Sequence, residues 1–476
     1  MPSIVFRGLG VIDENGDVVG DSIKVEDDKI RGVSKSKYSK LVEVDGYILP
    51  AFIDAHLHLV GIGASLYGID LSKVKSIEEM GRRMAKSVRR IVFARGWNQE
   101  ALEEKRFPTR HDLDKYVPDR PAIAVRVCGH AAVVNTTALR AFRIPMKYRR
   151  FVDMENGWLF EDAVYYVVNK IMRRLSVINL VRLAVKALRE AGIAGVGSMA
   201  CSSEQIEALK KLDFDRELPI YVSCYVHKDL AYRTVHYLGY RFSIEGVKLF
   251  ADGSLGARTA FLREPYSDDP GNRGKKLLSS RDIEAIAREV IFRKKLRIAI
   301  HAIGDAALDE VIDVLEKLDP QHMARVEHAS IAHDSQIDKL ARLLVYVVIQ
   351  PRFRLSDWWI DKRLGDRARL AYRFKTMADK DVRLAVSSDA PVERFEPWET
   401  FRAAIGDCGG RPCEYGESLD PRTVIRLYTI GAAKATGLLT RHMGSLTPGS
   451  VAVLSYTPSD PLSHKWKGPL RPLYGF

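Results

Sequence analysis

The stretch YILPAFIDAHLHLVG, residues 47–61, combines an apolar run with three regularly spaced polar side chains. Asp54, His56 and His58 occupy every second position of a segment whose composition predicts a β-strand. Alternate side chains of a strand point to one face, so these three groups converge on whatever that face covers. Two imidazoles and a carboxylate on an otherwise apolar strand indicate a metal site, because buried polar groups without partners are costly.

The rest of the chain extends this first strand into a repeating pattern. From about residue 180, amphipathic helical segments alternate with short segments rich in Val and Ile. The strands predicted after LPAFIDAH are IAGVGSMA, LPIYVSCYVH, IEGVKLFADG, LRIAIHAIGD, ARVEHAS, LVYVVIQP and VRLAVSSDAP. Eight strands, each followed by a helix, predict an α/β fold of the (β/α)8 TIM barrel type. The alternative, an open doubly wound sheet, would need a glycine-rich phosphate turn, and the sequence contains no G-x-G-x-x-G.

Three further segments lie outside this alternation. Residues 1–49 and 443–476 are rich in short strand and turn patterns, which predicts one small β-sandwich domain built from both chain ends. The metal-binding barrel is assigned to residues 50–65 and 181–442. Residues 66–180 are too long for an ordinary βα loop. We therefore expect an insertion after the first strand, on the catalytic rim of the barrel.

The composition is that of an ordinary globular protein. Hydrophobic residues make up 46% of the 476 residues and charged residues 28%. No apolar run approaches the roughly 18 residues that span a bilayer, and no secretory or lipidation signal opens the chain. The five cysteines never form C-x-x-C, which argues against a thiolate zinc site. These features predict a cytoplasmic protein without a membrane partner.

The pattern of charged residues indicates which partners to expect and in what kind of organism the protein works. The formal net charge is +13, but Lys and Arg are interleaved with Asp and Glu, which favours a solvated surface over nucleic-acid binding. Only five Gln and seven Asn occur among these many charges, a balance that is typical of a thermophile. A small-molecule substrate is the expected partner. A homodimer is possible, since dimers are the commonest oligomers, but the sequence leaves the oligomeric state open.

The carboxyl ends of the predicted strands carry most of the chemistry. In a TIM barrel the functional groups lie at these ends. Ligand-type side chains end strands one, four, five, six and eight: His56, His58, Lys248, His301, His328 and Asp389. A lone histidine is more often a core residue, but the joint occurrence at five strand ends predicts a shared centre. Lys248 is unusual, because a buried ammonium costs several kcal/mol unless it is paired or chemically changed.

These residues carry a family resemblance. The segments LPAFIDAHLH, VKLFADGSLGARTA, IHAIGDAALDEV, VEHAS and SSDAPV resemble, in this order and spacing, the metal-dependent amidohydrolase superfamily. Within it they are similar to the YtcJ-like branch, which includes N-substituted formamide deformylases. ARGWNQ, RVCGHAAVVNTTAL and MGSLTPGSVAVL also resemble that branch, so the similarity covers nearly the whole chain. The resemblance implies a distorted TIM barrel with a β-sandwich and one or two divalent metals at the barrel mouth.

The resemblance also implies a role for each strand-end residue. The implied ligands are His56, His58 and Asp389 for a first metal, His301 and His328 for a second, and Lys248 as a bridging carbamate formed with carbon dioxide. Imidazole and carboxylate ligands suit zinc, and also manganese, iron or cobalt, and zinc is the first choice. Asp389 is further expected to shuttle a proton. Asp54 is expected to orient an imidazole.

The expected activity is hydrolysis of a non-peptide carbon–nitrogen bond in a small amide, formamide or cyclic amide. Metal-activated water would attack the carbonyl carbon while Asp389 moves the proton. The alternative is a mononuclear metal-dependent deaminase, against which Lys248 in strand four argues. The predicted substrate contacts are Trp97, Asn98, His130 and Arg258, with His227 and Tyr266 as further candidates.

Overall fold

The structure is a computed structural model that describes residues 3–34, 41–126, 131–172, 175–407, 416–464, 466 and 468–476. The strands of this part of the chain are β1 (Ile4–Ile12), β2 (Val18–Glu26), β3 (Lys29–Ser34), β4 (Val42–Glu43), β5 (Tyr47–Pro50), β6 (Phe52–Leu57), β7 (Ile69–Asp70), β8 (Val92–Trp97), β9 (Ala122–Arg126), β10 (Ala131–Val134), β11 (Val152–Asp153), β12 (Trp158–Phe160), β13 (Ile193–Cys201), β14 (Tyr221–His227), β15 (Tyr237–Leu238), β16 (Phe242–Phe250), β17 (Arg297–Ala302), β18 (Ala324–His328), β19 (Tyr346–Ile349), β20 (Arg383–Val386), β21 (Leu454–Thr457) and β22 (Arg471–Tyr474).

The α-helices of the same residues are α1 (Leu59–Tyr67), α2 (Ile77–Ala85), α3 (Arg110–Tyr116), α4 (Thr136–Phe142), α5 (Glu161–Met172), α6 (Val177–Glu190), α7 (Ser203–Phe214), α8 (Ser280–Ala287), α9 (Asp305–Leu318), α10 (Asp334–Leu343), α11 (Phe353–Ser356), α12 (Ile360–Leu364), α13 (Phe374–Asp379), α14 (Pro397–Ala404), α15 (Pro421–Arg426) and α16 (Ala432–Thr436). A π-helical segment, Leu427–Gly431, joins α15 to α16. None of these helices combines the length and the apolarity needed to cross a bilayer.

A parallel sheet of β6, β13, β14, β16, β17, β18, β19 and β20 forms the barrel within the described residues, in that spatial order. The segments that follow the two outermost strands are joined by backbone hydrogen bonds. The Asp389 N–H donates to the His56 carbonyl at 2.9 Å, and the His58 N–H donates to the Ala390 carbonyl at 2.8 Å. These bonds close the barrel, and the predicted TIM-barrel fold is confirmed.

The strand sequences explain why this sheet is parallel and enclosed. Every residue of β6 is buried, which is expected for a strand with both faces covered. Helices begin directly after strands and are held by side-chain caps. Ser202, next to the end of β13, accepts a hydrogen bond from the Gln205 N–H at 3.3 Å and starts α7. Short strand-to-helix connections of this kind bring the strand ends together at one face.

Both chain ends contribute to a second sheet, with the order β22, β21, β5, β1, β2, β3 and with β4 beside β1. β5 and β21 pair antiparallel, with Leu49 opposite Ser455, so the end of the chain pairs with a strand next to β6. Its own side chains form a buried apolar cluster that includes Ile23, Ile48 and Leu454. Both chain ends thus meet in one sheet, while the predicted β-sandwich domain and its residue boundaries stay a prediction.

The chain divides into two compact units, Met1–Leu59 with Val185–Phe476 and Val60–Ala184. The second unit contains a sheet with the order β11, β12, β10, β9, β8, β7. β8 and β9 are parallel, and β10 is antiparallel to β9. Asn135 caps α4 through the Ala138 N–H at 2.8 Å and also accepts from the Ala122 N–H at 3.0 Å, which ties the helix to the sheet.

Candidate metal centre

A cavity of about 420 Å³ lies at the carboxyl ends of the barrel strands. The ligand-type residues predicted from the sequence all line it: His56, His58, Lys248, His301, His328 and Asp389. They come from β6 and its following turn, from β16, β17 and β18, and from the segment after β20. The structure therefore brings together the predicted set, whereas their binding of a metal stays a prediction.

Three of these residues form a tight group. The Nε2 atoms of His56 and His58 lie 3.3 Å and 3.2 Å from Oδ1 of Asp389. One ligand atom from each of the three lies within 4.8 Å of the others, the spacing of a metal site. Asp389 Oδ1 is buried and has no hydrogen-bond partner among the described residues. The backbone of Asp389 is left-handed, with φ of 58°, and is held there by its hydrogen bond to His56.

The Nδ1 atoms of His56 and His58 each lie next to a hydrogen-bond acceptor. His56 Nδ1 lies 2.6 Å from Oε2 of Glu327. Burial would raise the pKa of Glu327, but the charges of Arg325 and Lys248 lower it below its ordinary value, so the carboxylate is ionised and accepts the proton of His56. His58 Nδ1 lies 3.3 Å from the Met199 carbonyl, which can only accept. In both rings the proton is therefore assigned to Nδ1.

The rings of His301 and His328 meet edge to face, with 4.5 Å between their centroids. His301 Nε2 lies 2.9 Å from the Gly253 carbonyl, which leaves Nδ1 without a proton. His328 Nδ1 lies 2.7 Å from Oε1 of Gln350, whose amide nitrogen donates to Val348 and Ser387 and so turns its oxygen toward the ring. Burial lowers the pKa of His301 to about 3 and that of His328 well below its ordinary value. Both rings are neutral.

The tautomers make this cluster a set of electron-pair donors. Burial also lowers the pKa of His56 well below its ordinary value, so its Nε2 carries no proton. His56 Nε2 and Asp389 Oδ1 cannot hydrogen-bond to each other without one. A divalent cation between them would satisfy both, and each imidazole is already held from behind by an acceptor, as metal-binding histidines usually are. The residues present fit a divalent metal.

Like Asp389 Oδ1, the Nζ of Lys248 is a buried polar atom of the cavity without a hydrogen-bond partner among the described residues. The side chain of Lys248 is fully buried. The Nζ lies 5.0 Å from the centre of the Phe250 ring. Burial lowers the pKa of Lys248 to about 8, although the charges of Glu327 and Asp389 oppose the shift. An unpartnered buried amine is costly. Its predicted conversion to a carbamate stays a prediction.

A buried ion pair between Arg325 and Glu327 contacts the ring of His56, and sequence reasoning missed it. Arg325 Nε lies 2.5 Å from Oε1 of Glu327, and Arg325 also donates to the carbonyls of Ala55 at 2.8 Å and Ala435 at 3.1 Å. Glu327 thus joins a cation to the imidazole of His56. The signal was present in ARVEHAS, where two charges alternate on a strand that has no exposed face.

Asp54 acts on the backbone instead of on an imidazole ring. Its carboxylate accepts from the N–H groups of His56 and Ser388, each at 3.1 Å. Burial raises the pKa of Asp54 to about 7, and the hydrogen bonds from Ser388 and His56 oppose the rise. The imidazole-orienting role that we predicted for Asp54 belongs to Glu327. Asp54 instead joins the ends of the first and eighth barrel strands.

The substrate contacts predicted in the second unit stay predictions, and the structure shows where two of these residues lie. Trp97 has no exposed surface, donates from Nε1 to the Ala124 carbonyl at 2.9 Å and packs on Phe107 at 5.2 Å between ring centroids. This position assigns Trp97 a packing role in the core of its unit. Asn98 is half-buried and accepts from Arg126 at 3.4 Å, and its substrate contact stays a prediction. His130 lies outside the described residues.

The other candidates lie in the barrel unit. The guanidinium of Arg258 pairs with Asp268 at 2.9 Å and 3.1 Å, and its contact with substrate stays a prediction. His227 ends β14 and lies 3.2 Å from Asp229. Tyr266 is fully buried, and its hydroxyl donates to the Ala260 carbonyl at 2.9 Å, so the loop needs it for packing.

Sequence reasoning also missed a pair on the cavity wall. The hydroxyl of Tyr372 donates to Oδ2 of Asp357, and both residues line the cavity. Burial raises the pKa of Asp357 to about 6, against the effect of the Tyr372 hydrogen bond. The rest of the wall is mostly apolar, with Phe250, Leu255, Ile303, Phe353 and Val392. No local motif marks Asp357 or Tyr372, because both lie between short helices.

A closed parallel barrel with imidazole and carboxylate side chains at its carboxyl end defines a class of barrel enzymes. A sequence profile of the amidohydrolase family matches residues 45–463, and the chain belongs to that family. The predicted family membership is confirmed.

Similar proteins cover almost the whole chain. The Bacillus subtilis protein named "Putative amidohydrolase YtcJ" is 29% identical, covering 94% of this chain and 93% of that protein. The N-substituted formamide deformylase of Arthrobacter pascens is 23% identical, covering 91% and 87%. An uncharacterized metal-dependent hydrolase from Pyrococcus horikoshii OT3 has a solved structure that is 32% identical, with a TM-score of 0.81 and coverage of 97% and 98%. A second, from Pyrococcus furiosus, is also 32% identical, with a TM-score of 0.82 and coverage of 97% and 100%.

Proposed function

We propose that the protein is a metal-dependent hydrolase that cleaves a non-peptide carbon–nitrogen bond in a small amide, formamide or cyclic amide. The observation that carries the proposal is the convergence of proton-free imidazole nitrogens, Asp389 Oδ1 and the buried Lys248 Nζ on one cavity. The similarity to a formamide deformylase and to structures described as metal-dependent hydrolases supports it.

The proposed histidine ligands are the four whose tautomers leave one ring nitrogen without a proton. His56, His58 and Asp389 would hold one divalent metal, His301 and His328 would hold a second, and Lys248, as a carbamate, would supply a ligand shared by both. Zinc suits this donor set, and no thiolate is needed. When bound, a divalent metal polarises a carbonyl oxygen and lowers the pKa of water.

Asp389 moves the proton of the reaction. Hydrolysis forms a bond between a water oxygen and the carbonyl carbon and breaks the bond from that carbon to nitrogen. The Asp389 carboxylate takes a proton from the water and delivers it to the leaving nitrogen, so it ends the cycle ionised.

Lys248 becomes a ligand by a balanced addition. The neutral amine forms a bond from Nζ to the carbon of carbon dioxide and loses one proton. The product is an anion with two oxygens, where the unmodified side chain would be a buried cation without a partner. This exchange removes the cost of burying the ammonium and supplies charge opposite to that of the metals.

The cavity wall suggests the kind of substrate. A volume of about 420 Å³ suits a small molecule. The apolar side chains of Phe250, Leu255 and Phe353 suit an apolar substituent on the amide. Asp357, held by Tyr372, offers a carboxylate that accepts a substrate N–H.

A mononuclear deaminase is the second candidate, and one observation favours it. In the part of the chain that the structure describes, the side chains grouped closely enough to hold a metal are only His56, His58 and Asp389. A single metal at that group would leave His301 and His328 for other work. The metal content of the purified protein separates the two candidates.

The test combines elemental analysis with a substrate panel. We expect two equivalents of metal at saturation and release of an amine from formamides or amides. One equivalent, with ammonia released from amino-heterocycles, would support the deaminase instead.

A variant of Lys248 tests the bridge directly. We expect Lys248→Ala to lose the second metal and most activity, with partial rescue by short carboxylic acids. Lys362→Ala, at an exposed lysine, is the control. Undiminished activity of Lys248→Ala without added acid would reject the bridging role.

A further inference from the structure

A second cavity, of about 590 Å³, lies at the opposite end of the barrel. Its lining includes Arg297, Tyr346 and Arg383, which are the first residues of β17, β19 and β20. Arg297 precedes His301 by four residues on the same strand, which separates the two positions by about 13 Å. The cavity is therefore distinct from the candidate metal centre.

The lining of this cavity is strongly cationic. Its basic residues are Arg297, Arg383, Arg426, Lys434 and His322, and Asp381 is acidic. Within the described ranges, no carboxylate oxygen lies within 4.0 Å of the charged groups of the three arginines and Lys434. Elsewhere on the barrel, arginines form close pairs, such as Arg263 with Asp309 at 2.6 Å. The positive charge of this cavity is thus not neutralised by pairs of that kind.

Neutral acceptors fix two of the guanidinium groups in place. Arg297 Nη1 donates to the Lys434 carbonyl at 2.8 Å. Arg383 Nη1 donates to the Leu344 carbonyl at 3.2 Å and to Nδ1 of His322. Burial raises the pKa of Tyr346, and the positive charges of Arg383 and Arg297 oppose the rise, so both charges act on one hydroxyl. These contacts orient the cations and leave donors available.

One helical wall completes the cavity. Arg426, Ile430 and Lys434 follow one another at intervals of four along α15, the π-helical segment and α16. Residues with this spacing share a face. The wall therefore presents a cation at each end of an apolar stretch that includes Leu427. Single π-helical turns inside α-helices are frequent at functional sites.

We propose that this cavity binds a small organic anion that carries two or more phosphate or carboxylate groups. Arginine matches such groups through its planar fork of N–H donors, and several unpaired cations around one cavity favour a multivalent ligand. The volume lies in the range of small-molecule sites, and Leu427 and Ile430 can contact the uncharged part of the ligand. The proposal does not depend on the function proposed for the metal centre.

The experiment is calorimetric titration at low ionic strength with ADP and with succinate as probes. We expect at least one probe to bind the parent protein. The double variant Arg383→Gln/Arg426→Gln should bind that probe at least tenfold more weakly. Binding of ADP alone identifies a phosphate site, and binding of succinate alone identifies a carboxylate site.

Two controls locate the binding. Arg281→Gln/Arg369→Gln removes the same charge from exposed positions outside the cavity lining and should bind like the parent. His58→Ala alters the metal centre and should also keep the affinity, which excludes an anion held there. The proposal is overturned if neither probe binds the parent, if the two double variants bind alike, or if His58→Ala loses the binding.

Discussion

The interior of the barrel and its amino end differ in how their charged groups are partnered. In the interior, Arg325 is buried and is paired with Glu327. At the amino end, Arg297 and Arg383 hydrogen-bond to neutral groups. The difference follows from burial, since a buried charge requires a partner whereas a solvated one does not. A charge without a protein partner is therefore informative when it lines a cavity.

The largest effect is expected on kcat, from the replacement of one carboxylate oxygen of Asp389 by nitrogen. Asp389→Asn keeps the size of the side chain and one oxygen but removes the proposed base, so kcat should fall by about 10²–10⁴-fold. The rate is to be measured on protein whose metal content matches the parent. Asp313→Asn, at an exposed position on α9, is the control. A metal-loaded Asp389→Asn variant at the parent rate would assign the proton transfer elsewhere, first to His328.

The next effect concerns stability. Glu327→Gln removes the charge that pairs with Arg325 and accepts from His56 Nδ1, and leaves a buried cation uncompensated. The free energy of unfolding should fall by about 3–5 kcal/mol, the usual cost of breaking a buried pair. Denaturant unfolding measures it.

An exposed pair provides the matched control. Glu289→Gln breaks the pair with Arg293, whose side chain is 81% exposed, and should change the unfolding free energy by at most about 1 kcal/mol. Equal losses in the two variants would contradict the role of burial in this contrast.

A smaller effect, on the pH dependence of the free energy of unfolding, is expected at Asp268. The Arg258 hydrogen bond, assisted by Arg363, lowers the pKa of Asp268 to about 2 from its ordinary 3.8. The unfolded chain therefore takes up the proton first as the pH falls, and the stabilising effect is complete above pH 3.8 and lost as the pH falls through about 2.

Asp268→Asn should accordingly be less stable than the parent above pH 3.8, and the gap should close toward pH 2. Unfolding curves of both proteins across this window measure the difference. A gap that stays constant through the window would show that the ionised carboxylate does not stabilise the fold.

The smallest effect is expected at the amino end. Arg383→Gln/Arg426→Gln removes two cations that have no acidic partner among the described residues, so the free energy of unfolding should change by no more than about 0.5 kcal/mol. At low salt the change should be a gain, because like charges are separated, and it should shrink as salt is added. A loss above about 1 kcal/mol would assign these arginines a structural role instead of a binding one.

The barrel could be predicted because its strands are buried on both faces and form separate runs of Val and Ile. The ligand-type residues could be predicted because a strand end fixes where a side chain lies in such a barrel. Glu327 was missed because its contact with His56 joins residues 271 positions apart. A local pattern holds no information about such a distant partner.

The surroundings of Trp97 and the lining of the basic cavity also depend on contacts between distant segments, which local sequence patterns do not reveal. GWNQE indicates a strand end, but the burial of Trp97 depends on Phe107, which lies in another segment. The cavity at the amino end takes its lining from several strands and one interrupted helix. Its cations are scattered along the sequence among many paired ones, and only the fold distinguishes them.

The hydrogen bond from Ser388 to Asp54 spans 334 residues, and the bond from Asp389 to His56 lies beside it. The ribosome therefore makes His56 and His58 long before it makes Asp389. A nascent chain holds two of the proposed ligands, His56 and His58, before the proposed third, Asp389, has been made. The proposed site is therefore complete only after the eighth barrel strand has emerged and joined the first.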